Sequence, residues 1–444
     1  MHRREVTQTR LGTMSRDEGQ TRDAAEGDSV VVRRRVLFGG AATVASAGLG
    51  WSIGPGRAAA GAAMPADAAT RPVWGRIANR VHRHDRVYSG LFFAGPPKPF
   101  TRDNLYTRHP LDEDRLDWSN EADIRFAVAQ VRQAGLNTVK LSYWGHEGRP
   151  GETDDSATAL LFSRNRWPGE PGPPTYTEAE QVAKAWQLFH AAEQEDLLIT
   201  PMLEVSAANQ FWAYFPQSLG ELVRRAGWLL RNFGSSPSFL RMYDRSGRPR
   251  HVISLIETIH VGPVDPVAFA AGFDQTAQIL HDELGYAVGW TFDPTPLPAY
   301  GTHAGPEPAA MREASSVIAV NPFNITSQGP YAQDPQRPIS EQERLQYAAD
   351  TLRTWAGSGI PLIAAVTPGY DASKVFPQNG VYGFNPWWRE RELELAVKFG
   401  NAGFSVDYWN GYSEGAAIPP TKEDGDVHQR WLADVIATHR RRWC

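Results

Sequence analysis

The stretch that decides the fold is SEQERLQYAADTLRTWAGSGIPLIAAVTPGYD, residues 340–371. Ser340 stands three residues ahead of Glu343, the capping-box pattern that begins a helix. Apolar residues then recur with helical spacing, at Leu345, Ala348, Ala349 and Leu352. After a glycine-containing turn, residues 361–367 are almost continuously apolar, as in a parallel strand that is covered on both faces. The stretch therefore predicts one helix followed by one buried parallel strand.

The same alternation recurs along most of the chain. Short apolar runs rich in Val, Ile and Phe are each followed by a Gly/Pro-rich loop and a helical pattern. The runs are residues 87–94, 138–144, 197–205, 252–260, 287–293, 317–323, 361–367 and 403–409. No G-x-G-x-x-G follows the first run, which argues against an open, doubly wound nucleotide-binding sheet. Eight such units predict an α/β protein, a (β/α)8 TIM barrel with enlarged βα loops, as a single catalytic domain over residues 71–444.

Residues 1–70 are predicted to be an N-terminal extension that carries an export signal. Arg33-Arg34-Arg35 precedes a Gly/Ala-rich apolar stretch, and Ala58-Ala59-Ala60 offers an A-x-A cleavage site. The pattern over residues 33–60 resembles a twin-arginine signal. A membrane anchor is the alternative, but the stretch is short and rich in small residues. We expect a secreted or cell-envelope protein with no stable membrane insertion after signal cleavage.

Composition excludes several classes of protein. The 444 residues carry a net charge of −5 with no basic block, which argues against a nucleic-acid binder. The only cysteine is Cys444, so neither a disulfide framework nor a cysteine-rich zinc site is available. Because no H-E-x-x-H pattern occurs, we expect no metal and no cofactor. The oligomeric state stays open.

Polar residues collect where the predicted strands end, which is where TIM barrels hold their active sites. The candidates are Trp144, His146, Glu204, Glu257, His260, Asp293, Asn321, Tyr370, Asp371 and Asp407. Glycoside cleavage needs two carboxyl groups, one to protonate the leaving oxygen and one to act as base or nucleophile. The pattern therefore predicts a glycoside hydrolase acting on an oligo- or polysaccharide. Structural alternatives remain for each residue: a paired buried carboxylate at Glu204 or Glu257, a turn at Asp293, and packing histidines.

The 15 tryptophans divide into two predicted groups. Trp186, Trp228 and Trp355 fall on apolar helix faces and are expected in the core. Trp387, Trp388 and Trp409 lie close to strand ends, where an indole either packs or stacks on a sugar ring.

Two late motifs carry a family resemblance. They are Thr367-Pro368-Gly369-Tyr370-Asp371 and Tyr408-Trp409-Asn410-Gly411-Tyr412-Ser413-Glu414-Gly415. Together they resemble the glycoside hydrolase family 99 endo-α-mannosidases and the WbsX-like barrel proteins over the last 80 residues. The resemblance implies that Glu414 is the general acid/base, with Trp409, Asn410 and Tyr412 in the substrate site. The family's first catalytic glutamate aligns with Gly411, so the partner carboxylate is expected to be Asp407, Glu257 or Glu204.

Two other functions are compatible with these motifs. A barrel that lacks a carboxylate at Gly411 is compatible with glycan binding without cleavage. Residues 411–415 also fit G-x-S-x-G, the nucleophile elbow of esterases, which requires a strand, a sharp turn and a helix. Pro419 and Pro420 follow within five residues and argue against that helix, so glycoside hydrolysis is favoured.

Overall fold

Parallel strands form a closed ring in the computed structural model. The model describes residues 86–93, 106–116, 120–143, 178–204, 219–256, 265–294, 307–328, 338–374 and 380–443. The strands of these parts are β1 (Val87–Phe92), β2 (Thr138–Tyr143), β3 (Leu198–Glu204), β4 (Arg241–Tyr243), β5 (Pro249–Ile256), β6 (Val288–Phe292), β7 (Val317–Val320), β8 (Ile363–Val366), β9 (Gly369–Asp371), β10 (Val381–Gly383) and β11 (Gly403–Val406). Eight of them pair in the order β7-β6-β5-β3-β2-β1-β11-β8, and a parallel bridge between Val320 and Leu362 closes the ring.

Helices alternate with the strands of the ring. They are α1 (Glu121–Gln133), α2 (Glu178–Gln194), α3 (Leu219–Phe233), α4 (Pro266–Leu284), α5 (Pro308–Glu313), α6 (Ile325–Gln328), α7 (Glu341–Ala356), α8 (Pro386–Phe399) and α9 (Val427–Trp443). The predicted (β/α)8 TIM barrel is confirmed. All described residues belong to one compact unit, Pro65–Cys444. None of the described helices is both long and apolar enough to cross a bilayer.

The predicted start of α7 is correct in atomic detail. Glu343 N donates to Ser340 Oγ at 3.2 Å, and Ser340 N donates to Glu343 Oε2 at 2.9 Å. Several strand predictions are wrong at their ends, and one of them is 317–323, which ends at Val320. The predicted strand 252–260 starts at Pro249, because β4 folds back against β5 in a hairpin. The predicted strand 403–409 ends at Val406, and the residues after it turn into the barrel mouth.

Two buried layers hold the barrel together. One lies between ring and helices; there Phe292 meets Trp355 edge-on with ring centroids 5.3 Å apart, and the predicted core tryptophans Trp186 and Trp228 pack against this layer. The other lies at the carboxyl ends of the strands and is rich in aromatic rings. Its aromatic members are Phe323, Tyr370, Tyr382, Trp388 and Tyr408. This second layer, which we call the mouth cluster, surrounds the candidate site.

Candidate active site

Three predicted site residues lie side by side where their strands end. Asp293 N donates to Leu255 O at 3.0 Å, Asn321 N to Phe292 O at 2.9 Å, and Asp407 N to Val366 O at 3.0 Å. Each bond continues the parallel ladder by one step. The side chains of Asp293, Asn321 and Asp407 are therefore brought together at the carboxyl end of the barrel, as the sequence predicts.

A buried lysine joins this group from the opposite wall. Lys140 lies on β2 and its ammonium group donates to Oδ1 of Asn321. Since β2 and β7 are not neighbours in the ring, the two side chains meet through the barrel interior. Burial lowers the pKa of Lys140, while the negative charges of Asp407 and Asp293 oppose that shift. Lys140 therefore places a positive charge near two acidic residues, Asp293 and Asp407. We call this group of three residues, together with Asn321, the floor of the candidate site.

Asp407 is almost completely buried and holds its proton more tightly than an exposed carboxyl group. Its Oδ1 accepts a hydrogen bond from Asn324 N at 3.0 Å, and its Oδ2 has no hydrogen-bond partner among the described residues. Burial raises the pKa of Asp407 to about 8, with further upward contributions from the charges of Asp293 and Glu414. The Asn324 N–H and Lys140 act in the opposite direction. Asp407 is thus a carboxyl group that carries a proton near neutral pH.

Glu414 is half-buried and lies above this floor in the turn of residues 411–415. Its backbone carbonyl accepts from Asp371 N at 2.9 Å, and Gly415 closes the turn with φ of +63°. A Cβ at Gly415 would lie 2.8 Å from Asp371 Cβ, so the turn requires glycine. The Glu414 carboxylate accepts the Tyr370 hydroxyl at 2.8 Å. This phenol therefore fixes its orientation.

Gly411 has no room for a side chain. A Cβ at this position would lie 2.9 Å from Tyr408 Cβ and 3.0 Å from two atoms of its ring. The Tyr408 ring, packed edge-on against Phe323 with centroids 5.4 Å apart, occupies the adjacent space. The family's glutamate, which the resemblance aligns with Gly411, is absent from this chain, and the packing around Gly411 leaves no space for it.

Other predicted binding residues differ in their access to solvent. Asn410 exchanges two hydrogen bonds of 2.8 Å with the backbone of Phe93, and Tyr412 packs against Tyr106. Trp409 is only 1% exposed and belongs to the main core, so its placement among the substrate-binding residues is corrected to packing. Trp387, at the start of α8, is 42% exposed and presents an indole to solvent.

Arg108 connects loop 106–116 to residues beside the site. Arg108 donates to Asp424 Oδ2 at 2.6 Å and contacts Asp371 Oδ2 at 3.5 Å. Its guanidinium also lies over the Phe384 ring, 4.4 Å from the centroid. Asp371 therefore connects loop 106–116 to the turn that carries Glu414.

Several predicted residues lie outside the described part of the chain. They are Trp144, His146, Glu257 and His260, together with the N-terminal extension 1–70 and its signal at 33–60. Glu204 is the last residue of β3, and its side chain is not described. In the described residues, no group of three or more His, Cys, Asp or Glu side chains is arranged to hold a metal ion.

Sequence reasoning missed four residues of the site. Lys140 had a visible signal, a lysine inside an otherwise apolar strand. Tyr408 was part of the quoted motif without a role. Asn324 and Glu392 gave no signal, because one follows a strand in an ordinary loop and the other lies in a charged helical stretch. Glu392 is 1% exposed, and its Oε2 accepts from Thr367 N at 3.2 Å.

The local backbone does not fit an esterase elbow. Residues 411–415 form turns, β11 has already ended at Val406, and α9 begins only at Val427. Ser413 is therefore not placed between a strand and a following helix, as an elbow nucleophile must be.

The fold is shared with solved glycoside hydrolases. An endo-α-mannosidase of glycoside hydrolase family 99 from Bacteroides thetaiotaomicron, in complex with bis-tris propane, superposes with a TM-score of 0.53 at 14% identity, covering 81% of this chain and 98% of that chain. Another structure of a family 99 endo-α-mannosidase from Bacteroides thetaiotaomicron gives a TM-score of 0.51 at 12% identity, and the match covers 80% of this chain and 98% of that chain. A glycoside hydrolase-like protein gives a TM-score of 0.52 at 11% identity, and the match covers 79% of this chain and 94% of that chain. The sequence matches no protein-family profile and no curated protein. The chain is therefore similar in fold to these structures.

Proposed function

We propose that this protein is an exported glycoside hydrolase that cleaves an oligo- or polysaccharide with Glu414 as its acid/base residue. The observation that carries the proposal is the pairing of Glu414 with Asp407 at the carboxyl end of a glycosidase-like barrel. Glu414 is half-buried and oriented by the Tyr370 hydroxyl at 2.8 Å, whereas Asp407 is almost completely buried. The two interact electrostatically, and their negative charges oppose each other.

This arrangement supports acid–base chemistry because close carboxyl groups do not ionise together. When one of the two is charged, the other keeps its proton to a higher pH. Since Asp407 holds the proton near neutral pH, Glu414 is the carboxylate of the pair and takes up a proton before it acts as an acid. Asp407 is too buried to contact a sugar in this conformation, and its role in the proposal is to set the charge of Glu414. Glu204 ends β3, and Glu257 is the next residue in the sequence after β5; either is a candidate for the second carboxylate that meets the sugar.

The substrate class proposed first is α-linked mannose-containing glycans, because the similar structures include endo-α-mannosidases. Export is proposed from the twin-arginine pattern at residues 33–60, and folding before export fits a chain without a disulfide framework.

The decisive experiment measures reducing ends released from α-mannans and a panel of bacterial and plant polysaccharides. We expect the wild type to cleave at least one of them and Glu414→Gln to lose about a hundredfold or more of kcat. Glu423→Gln is the control, since this glutamate is exposed and pairs with His109 at 2.7 Å instead of lying at the site. Full activity in Glu414→Gln refutes the assignment. Saturable oligosaccharide binding by calorimetry without any released ends favours the non-catalytic glycan-binding barrel.

A further inference from the structure

Phe384 has an unusual backbone conformation beside the candidate site. Its φ of +61° is left-handed, a conformation that is rare for a bulky side chain and persists only where the surrounding structure holds it. Phe384 N donates to Pro368 O at 2.9 Å, and a Cβ at Gly369 would lie 2.6 Å from Phe384 Cγ. The ring is therefore held directly against the start of β9, and a strained residue held this closely points to a role for its ring.

The Phe384 ring supports the guanidinium group of Arg108. Cζ of Arg108 lies 4.4 Å from the ring centroid, Nε donates to Asp424 Oδ2 at 2.6 Å, and Nη1 contacts Asp371 Oδ2 at 3.5 Å. A guanidinium suits this place because its face stacks on an aromatic ring while its edge bonds carboxylates. The Arg108 side chain is only 16% exposed, so water and salt screen these contacts less than those of a surface arginine. Arg108 therefore joins loop 106–116 to the segment between β8 and α8 and to the segment after β11.

The segment between β8 and α8 in turn holds Glu414 at two points. Asp371 N donates to the Glu414 carbonyl oxygen at 2.9 Å, and the hydroxyl of the adjacent Tyr370 donates to Glu414 Oε2 at 2.8 Å. Thr107, which precedes Arg108, donates from Oγ1 to Asp371 O at 2.5 Å. The backbone and the side chain of Glu414 are thus both bonded to a pair of residues that loop 106–116 fixes in place.

We propose that Arg108, lying on the strained Phe384 ring, is a positioning residue that holds Glu414 in place through Asp371. The guanidinium attracts the Asp371 carboxylate while Thr107 bonds the Asp371 carbonyl, so the Asp371 N–H stays directed at the turn of residues 411–415. The left-handed φ of Phe384 is then explained, since it places an aromatic ring under the guanidinium. Arg108 acts on the position of the turn and not on the charge of Glu414. The consequence for catalysis rests on the proposed function, whereas the contacts that hold the turn do not.

Three variants and a control separate this role from general support of the fold. Arg108→Met removes the charge and the planar group but keeps a long apolar side chain, and Arg108→Lys keeps the charge alone. Phe384→Leu removes the aromatic face and keeps an apolar side chain on the same backbone. Arg353→Met is the matched control, because Arg353 pairs with Asp350 on the solvent-exposed side of α7.

The first readout is amide hydrogen exchange followed residue by residue, which needs no substrate. The reporting amides are that of Asp371, bonded to Glu414 O, and those of residues 414–416, which bond within the turn. We expect Arg108→Met to speed their exchange about tenfold, and Phe384→Leu and Arg108→Lys about threefold. The reference amides are those of α4, which follows β5 on the side of the ring opposite β11, and they should keep their rates. Arg353→Met should leave both sets unchanged.

The double variant Arg108→Met/Phe384→Leu tests whether the ring acts through the guanidinium. If it does, the double variant exchanges no faster than Arg108→Met alone. Unchanged exchange of the reporting amides in Arg108→Met overturns the proposal, as do fully additive effects of the two substitutions. Equal acceleration in α4 means that Arg108 supports the whole fold, and this result also overturns the positioning role. If Arg108→Met does not fold, Arg108→Lys decides by the same comparison with α4.

The second readout is activity on a glycan that the wild type cleaves. We expect Arg108→Met to lower kcat about tenfold with KM within about twofold, and Arg108→Lys to lower kcat less, because it keeps the attraction to Asp371. A loss carried by KM alone contradicts the positioning role. If the wild type cleaves nothing, the proposed function fails, while the exchange measurements still decide whether Arg108 holds the turn that carries Glu414.

Discussion

The ammonium group of Lys140 donates a hydrogen bond to Oδ1 of Asn321 across the interior of the barrel, from β2 to the end of β7. The amide of Asn321 is fixed in turn, because its Nδ2 donates to Ile363 O at 3.1 Å. This bond holds a buried cation where it interacts with both Asp293 and Asp407. In the floor of the candidate site, the positive charge of Lys140 therefore opposes the negative charges of the two aspartates, and variants of these residues can test this balance.

Removing the cation should destabilise the protein most at alkaline pH. The pKa of Asp407 is raised in the folded state, so the folded chain binds this proton more tightly than the unfolded chain does. Its contribution to stability is complete below pH 4 and is lost as pH rises towards 8. Without Lys140 the loss deepens, because the positive charge that attracts Asp293 and Asp407 is then gone. We expect Lys140→Met to lower the free energy of unfolding by about 3 to 5 kcal/mol at pH 8 and by less at pH 5, measured by urea denaturation.

The double variant Lys140→Met/Asp407→Asn is the companion measurement. It removes one charge of each sign and should recover part of the stability lost at pH 8. A loss that is equal at both pH values, with no recovery in the double variant, would mean that Lys140 contributes through packing alone.

A second prediction concerns Glu392 on α8. Burial, with a smaller contribution from the charge of Asp407, raises the pKa of Glu392 well above its ordinary value. The folded chain therefore keeps this proton while the unfolded chain releases it above about pH 4.5, and stability falls as pH rises beyond that value. Glu392→Gln removes this penalty, so we expect a gain on the order of 1 to 3 kcal/mol at pH 7 and almost none at pH 4. Glu390→Gln on the exposed face of α8 is the control, and an equal gain there would contradict the argument.

The architecture could be predicted from the sequence because it depends on repeated patterns. Eight apolar runs separated by helical spacing specify a parallel ring, and Ser340 with Glu343 specifies where α7 begins. Strand ends were less accurate at Val406, because the apolar run continues beyond the strand. Tyr408 there packs in the mouth cluster and Trp409 in the main core, and neither extends the strand. Apolar character reports burial there, and burial is not confined to strands.

The candidate site could be predicted only in part. Asp293, Asn321 and Asp407 were found because a strand end is visible in the sequence and the fold brings strand ends together. Lys140 and Asn324 were not predicted, because each acts through a contact with a residue that is distant in the sequence, at separations of 181 and 83 residues. A single sequence has no local pattern for such contacts.

A third prediction concerns Gly411, the position that the family resemblance aligns with a catalytic glutamate. Since a Cβ at Gly411 would lie 2.9 Å from Tyr408 Cβ, Gly411→Ala must displace the Tyr408 ring or the turn. We expect a loss of about 1 to 3 kcal/mol in the free energy of unfolding. Gly411→Glu, which restores the family's residue, should be at least as destabilised and should not gain activity. Gly220→Ala is the control, because nothing lies within 4 Å of a Cβ at that helical position. A stable Gly411→Glu protein with increased glycosidase activity would show that the mouth repacks to accept the family arrangement.

The final prediction separates two adjacent tryptophans at the start of α8. Trp387 is 42% exposed, whereas Trp388 is fully buried and its Nε1 donates to Thr367 O at 2.9 Å. If the exposed indole stacks on a sugar ring, Trp387→Ala should weaken oligosaccharide binding by about 1 to 3 kcal/mol in calorimetry while the melting temperature stays within about 1 °C. Trp388→Ala should instead lower the free energy of unfolding by about 3 to 5 kcal/mol, because it empties part of the mouth cluster. The effect of Trp387→Ala should grow with the length of the oligosaccharide, since a platform at the rim contacts sugars far from the cleaved bond. Unchanged affinity for every length of glycan would remove Trp387 from the binding surface.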